Sequence, residues 1–143
     1  MIINEQLFVL EDQCEEIVEQ LLKSQTCINY FQAKKSMYNC SEVMTLQQTF
    51  LKNKEAFERI SDYGIHAPGY RETQRTLRKS KRELDVNAHV AAFRVAETQL
   101  QDILDSISLT VAQTVSEEIK VDAGNPFFIT GGHSGCGGSC HAS

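Results

Sequence analysis

Leu7, Leu10, Cys14, Ile17 and Leu21 recur at steps of three and four, with Glu and Gln set between them. That spacing is the stripe of an amphipathic helix and predicts one from about Asn4 to Lys23. A weaker helical segment runs from Ser24 through Met37, where Cys27 and Phe31 stand one turn apart with Ile28 beside them. Ser41 can cap the next helix and Glu42 suits its positive end. Val43, Leu46, Phe50, Phe57 and Ile60 then keep one apolar face, which predicts a helix as far as Ser61.

The stretch from Asp62 to Gly69 holds Gly64, Pro68 and Gly69 and so marks the main connection between helices, with Pro68 suited to start the next one. From Tyr70 to about Ile119 there is neither Gly nor Pro. One unbroken helix of that length would extend about 75 Å at 1.5 Å per residue. Two arrangements accommodate it: a break near Asp85 to Asn87, with Asp85 capping the new segment, or packing of the surplus length in an oligomer. Leu77, Leu84, Ala88, Ala91 and Val95 line one face, while Phe93, Ala96, Leu100, Ile103, Ile107 and Val111 line another. A helix with two apolar faces needs two sets of neighbours, which a bundle shared between subunits supplies. No strand pattern or internal repeat competes. The pattern predicts an all-α fold: a small, oligomeric helical bundle with one long C-terminal helix, either continuous or broken near residues 85–87.

Beyond Lys120 the composition changes to Asp122-Ala123-Gly124-Asn125-Pro126-Phe127-Phe128 and then to a Gly-rich run. This shift predicts a helical domain over residues 1–121 and a flexible Gly/Cys-rich tail over 122–143.

Composition narrows the class. With 23% charged and 41% hydrophobic residues in 143, the chain suits one folded domain of ordinary size and not a disordered or membrane protein. Met1 to Gln13 turns acidic at Glu5 and Glu11 without a basic leader or a long apolar run, which predicts a cytoplasmic protein. There the five cysteines are core residues or metal ligands before they are disulfide partners. The net charge of −5 hides an asymmetry: Arg71, Arg75, Arg78, Lys79, Lys81 and Arg82 put six basic residues in twelve positions, opposed there by Glu72 alone. Such a patch suits an acidic protein face or nucleic acid. It lacks aromatic interleaving and any nucleic-acid motif. Glu11, Asp12, Glu15, Glu16 and Glu19 offer a counter-surface on the first helix. Protein contact is the favoured reading, and direct RNA binding through residues 71–82 is the alternative. A purely structural homo-oligomer is the third.

The densest chemistry lies in the tail, where His133, Cys136, Cys140 and His141 place four metal-ligand candidates within nine residues separated by Gly and Ser. A single Cys-x3-Cys step fits the spacing of zinc sites but is weaker than two matched pairs. Two thiolates are half of what an iron–sulfur cluster commonly takes, so another subunit would have to supply the rest. Cys14, Cys27 and Cys40 are spaced by thirteen residues. Thirteen helical steps rotate by about 220°, so they share no face and read as core thiols. No nucleophile with a base, phosphate loop or helix-borne metal pair is present, and His66 and His89 have no evident partners, which predicts a non-enzymatic protein.

Lys81-Arg82-Glu83-Leu84-Asp85, Val90-Ala91-Ala92-Phe93-Arg94-Val95-Ala96-Glu97 and Val115-Ser116-Glu117-Glu118-Ile119-Lys120-Val121 are familiar in combination. With Pro68-Gly69-Tyr70 before the long helix and Asn125-Pro126-Phe127-Phe128 before a Cys-rich tail, the chain resembles the YlbF/YmcA family of bacterial regulators over nearly its whole length. That resemblance implies a helical regulatory adaptor that associates with YmcA-like and YaaT-like partners. It further implies a link to RNase Y in mRNA processing and to competence, sporulation and biofilm development. It also implies a [4Fe-4S] cluster with cysteine ligands, which transfers most naturally to Cys136 and Cys140, zinc being the alternative.

Overall fold

The computed structural model describes residues 5–125, and these form five helices with no strand among them. They are α1 (Glu5–Lys23), α2 (Gln25–Tyr38), α3 (Ser41–Ser61), α4 (Tyr70–Asp85) and α5 (Ala88–Val115). The all-α expectation is met. The chain divides into two compact units, Met1–Leu100 and Gln101–Ser143, with the division falling inside α5.

Within the first unit, α1 and α2 are separated by Ser24 alone. Its extended backbone interrupts the helix, its hydroxyl donates to the Leu21 carbonyl at 2.6 Å, and the same oxygen accepts the Cys27 N–H at 3.2 Å. One side chain thus adds a second bond to the Leu21 carbonyl, which also accepts the Ser24 N–H at 3.1 Å, and satisfies an orphan N–H of α2. The start of α3 differs from the sequence expectation. Cys40 occupies the cap position without a side-chain hydrogen bond, and Ser41 is already the first helical residue. Glu42 still stands in the first turn, where the helix dipole favours it.

The α3–α4 connection turns on two glycines with positive φ, Gly64 at 84° and Gly69 at 82°. Side-chain-bearing residues rarely hold that region. Gly69, not Pro68, sits at the cap of α4, with Pro68 one residue outside it. The turn brings Phe57 and Tyr70 to 5.3 Å between ring centroids, and α3 and α4 pack along each other as the best-paired helices of the unit. Ser80 is buried on α4 and returns its hydroxyl to the Leu77 carbonyl at 3.0 Å, so its polar group is satisfied within its own helix.

Of the two arrangements the break is the one present, between α4 and α5, but Asp85 does not cap the new segment. Asn87 does: its Oδ1 accepts the His89 N–H at 3.0 Å and its carbonyl accepts from Ala91 at 2.9 Å. Its Nδ2 donates to Glu42 on α3 at 3.1 Å. Asp85 is engaged instead by Lys81 at 2.9 Å and by Arg94 across the break at 2.8 Å. Tyr30 against Phe93, at 5.6 Å, and Ser36 against His89, at 2.9 Å, tie α2 to the start of α5. His89 therefore has the partner that the sequence did not disclose.

The core of the unit is thin. Its buried apolar side chains are Cys27, Val43, Val90 and Ala96, and no large side chain among the described residues is fully buried.

In the second unit α5 ends at Val115, about one turn short of Ile119. Ser116 is followed by two acids that the negative end of a helix disfavours. The Ser116 hydroxyl also accepts the Glu118 N–H at 3.2 Å, a local bond that competes with helical pairing. The chain then returns to α5 at Asp105. This buried carboxylate accepts the backbone N–H groups of Gly124 at 3.0 Å and Asn125 at 2.9 Å, with Gln101 donating at 2.8 Å. Asn125 also donates through its side chain to Asp102. A Cβ on Gly124 would meet the end of the Gln101 side chain, which would have to swing aside to admit it.

Candidate protein-interaction surface

Helix α4 gathers the basic residues as the sequence suggested and adds an order that a list of charges does not convey. Arg71, Arg75, Arg78 and Arg82 follow steps of four, three and four, so they lie within about 60° of each other on a helix of 3.6 residues per turn. All four are exposed, and none is joined in an ion pair to a described residue. Lys79 and Lys81 stand on the two flanks of this row and are taken up by Glu83 at 3.9 Å and Asp85 at 2.9 Å. The outcome is a row of uncompensated guanidinium groups on the side of α4 away from Ser80 and Leu77.

Beside that row runs a groove of about 610 Å³ between α3 and α4. Phe50, Phe57 and Leu77 give it an apolar floor, while Lys54 and Glu58 on α3 face Arg78 and Arg82 on α4 across its rim. Lys54 and Glu58 pair with each other at 3.5 Å, and the Lys81 ammonium lies 6.0 Å from the Phe50 ring centroid. The two arginines are thus the unpaired charges at the rim. An apolar floor with a cationic edge is suited to an amphipathic, acidic partner surface.

The acidic counter-surface on α1 does not meet this row within the chain, since no ion pair among the described residues joins α1 to α4. Helix α1 carries six acidic residues and one basic residue, and no residue of it is buried. The stripe predicted to face a core is open: Leu10 is 56% and Ile17 49% exposed, and Cys14 between them is exposed as well. Phe8, Val18 and Leu22 are each more than half exposed. Cys14 is therefore not a core thiol in this chain, whereas Cys27 is buried and Cys40 half-buried.

Among the described residues no three His, Cys, Asp or Glu side chains converge as a metal site. Cys136, Cys140, His133 and His141 lie outside the described residues. No helix among the described residues is long and apolar enough to cross a membrane.

The groove and the Asp105 anchor are the features that residue patterns alone did not disclose. A signal for the second was available in the Gly124-Asn125 pair, whose backbone N–H groups suit a carboxylate, but nothing in the sequence chose Asp105 over its neighbours.

Comparison with known proteins agrees with this architecture. The chain is 40% identical over 131 residues to regulatory protein YlbF of Bacillus subtilis strain 168, covering 92% of this chain and 87% of that relative. It is similar to a crystal structure of Bacillus subtilis RicA in complex with RicF, with a TM-score of 0.71 and 37% identity over 79% of this chain and 98% of the other. Residues 10–116 match the family described as control of competence regulator ComK, YlbF/YmcA. The chain belongs to this family of regulatory proteins.

Proposed function

We propose that this chain is a non-enzymatic cytoplasmic adaptor that assembles with YmcA-like and YaaT-like partners to modulate RNase Y-dependent mRNA processing, and through it competence, sporulation and biofilm development. The observation that carries this reading is the open apolar surface of α1. Isolated helices of its length are marginal in water unless an apolar face is covered, and this chain leaves Leu10, Ile17 and Val18 about half exposed. Family membership and the similarity to RicA in complex with RicF support assembly as the way those faces are covered.

A redox-sensitive [4Fe-4S] cluster, or less readily zinc, is part of this proposal. Cys136 and Cys140 would supply two thiolates, and His133 and His141 are available imidazoles. Cys27 is buried, and Cys14, Cys27 and Cys40 belong to no ligand cluster among the described residues. A cluster would therefore be shared with thiolates of a partner subunit. When bound, it would make assembly responsive to oxidation.

Anaerobic co-purification of the full chain, read by partner identity and by iron and zinc content, tests the reading. The expected result is recovery of YmcA-like and YaaT-like proteins with iron in stoichiometric amount. Iron content unchanged in a Cys136→Ser/Cys140→Ser variant overturns the ligand assignment, and a chain that recovers neither protein overturns the adaptor itself.

The row of Arg71, Arg75, Arg78 and Arg82, left without ion pairs, favours direct RNA contact as the second reading. It predicts an RNA affinity whose salt dependence flattens when those charges are removed.

A further inference from the structure

Two surfaces of the first unit are complementary and unjoined. One is the groove between α3 and α4, with its apolar floor of Phe50, Phe57 and Leu77 and its unpaired Arg78 and Arg82 at the rim. The other is α1, whose exposed Leu10 and Ile17 are flanked by Glu11 and Glu15 one turn apart. Glu11, Glu15 and Glu19 run along α1 at steps of four, a row about 12 Å long; Arg71 to Arg82 span about 16 Å on α4. Each row is a helical ridge of one sign beside an apolar strip, so the two helices can lie side by side with both matched.

We propose that the α3/α4 groove receives α1 of a second copy of this chain, and that two such contacts related by a two-fold axis close a dimer. This rests on the reading that the chain acts by assembly, and it names the surface and the occupant. The choice of a second copy follows from charge and from chain economy. Six acidic residues against one on α1 oppose six basic against three on α4, and both helices belong to every copy. A reciprocal exchange leaves neither surface unused, and the two-fold relation between the two contacts closes the assembly at two subunits.

The test is a charge swap read by analytical ultracentrifugation of the full chain, with helix content followed by circular dichroism. All four altered side chains are exposed, so the fold is expected to persist. Arg78→Glu/Arg82→Glu sets acid against acid in its own homodimer, and Glu11→Lys/Glu15→Lys sets base against base. Each variant alone is expected to associate about a hundred-fold or more weakly than the wild type. Mixed one to one, they are expected to recover a dimer, because each α1 then meets a groove of opposite charge.

A mixture that remains monomeric, or a single variant that keeps wild-type association, overturns the proposal. The first of these results is also what docking of α1 into its own groove would give. A wild-type chain that is monomeric at tens of micromolar overturns it too. If a single-stranded RNA oligonucleotide binds the wild type and not Arg78→Glu/Arg82→Glu while both have the same mass, the groove rim belongs to RNA and the exchange is wrong. Failure here is separable from failure of the adaptor reading. A monomer that still captures a YmcA-like partner ends the exchange alone, and a dimer that captures none ends the adaptor alone.

Discussion

The hairpin of α3 and α4 and the helix α1 have similar amphipathic patterns and opposite fates. In the hairpin, a turn with two positive-φ glycines folds two apolar faces onto each other, and the Phe57 and Tyr70 rings meet at a tilt with centroids 5.3 Å apart. In α1 the stripe of Leu10, Cys14 and Ile17 stays open, and Ser24 alone joins it to α2. The difference teaches that amphipathicity specifies a need for a partner face without specifying whose. Where the connection is long and turning, the partner is the next helix. Where it is a single residue that keeps the chain advancing, the partner must come from elsewhere.

The largest effect expected is on the closed side of this comparison. Val43 is 6% exposed on α3, and Val43→Asp places an unpaired carboxylate in the thin core. A loss of about 3 kcal/mol or more is expected, seen as a collapse of the thermal transition by circular dichroism. By contrast, Leu10→Asp/Ile17→Asp on α1 is expected to leave the isolated chain's stability within about 0.5 kcal/mol while lowering its native mass. An equal loss from the two variants would erase the distinction between the two regions.

A middle-sized effect belongs to the hinges that set the contrast. Asn87→Ala removes the cap of α5 and its bond to Glu42, and about 1 kcal/mol of stability is expected to go with them in urea unfolding. Asp85→Asn would cost comparably if Asp85 were the cap, so comparing the two variants checks the assignment.

The smallest effect is local and lies in the second unit. Backbone N–H groups of Asn125 and Gly124 hold the Asp105 carboxyl below its ordinary value of 3.8, a pull that burial opposes and Gln101 assists. A lowered folded pKa means that the anchoring is fully present above the ordinary value and is lost as pH falls through the lowered one. Amide exchange at Gly124 and Asn125 is expected to quicken only in that acidic window, and Asp105→Asn is expected to quicken it at neutral pH. Exchange insensitive to both would show that Asp105 does not hold the segment.

Much of the fold was legible in the sequence because helical periodicity, Gly64, Pro68 and Gly69 are local signals. The stripe from Val43 to Ile60 and the end at Ser61 are where the pattern put them. Caps were read less well. Ser41, Pro68 and Asp85 each had the right chemistry for a helix start, yet Cys40, Gly69 and Asn87 hold those positions. A difference of one or two residues decides which group faces the free N–H, and tertiary partners such as Arg94 compete for Asp85. The basic row on α4 was legible as composition. Its pairing state was not, because Lys79 and Lys81 find acids on their own helix while the four arginines do not. Openness of α1 was the least legible feature, since the same stripe of Leu10, Cys14 and Ile17 would serve a buried helix equally well.

The proposed exchange is tested most directly by amide hydrogen exchange on the wild-type chain over a dilution series that spans its association. The expected result is that residues 5–23 lose protection as the chain is diluted, while α3 and α4 outside the groove face keep theirs. Protection of α1 that is the same at every concentration would contradict it.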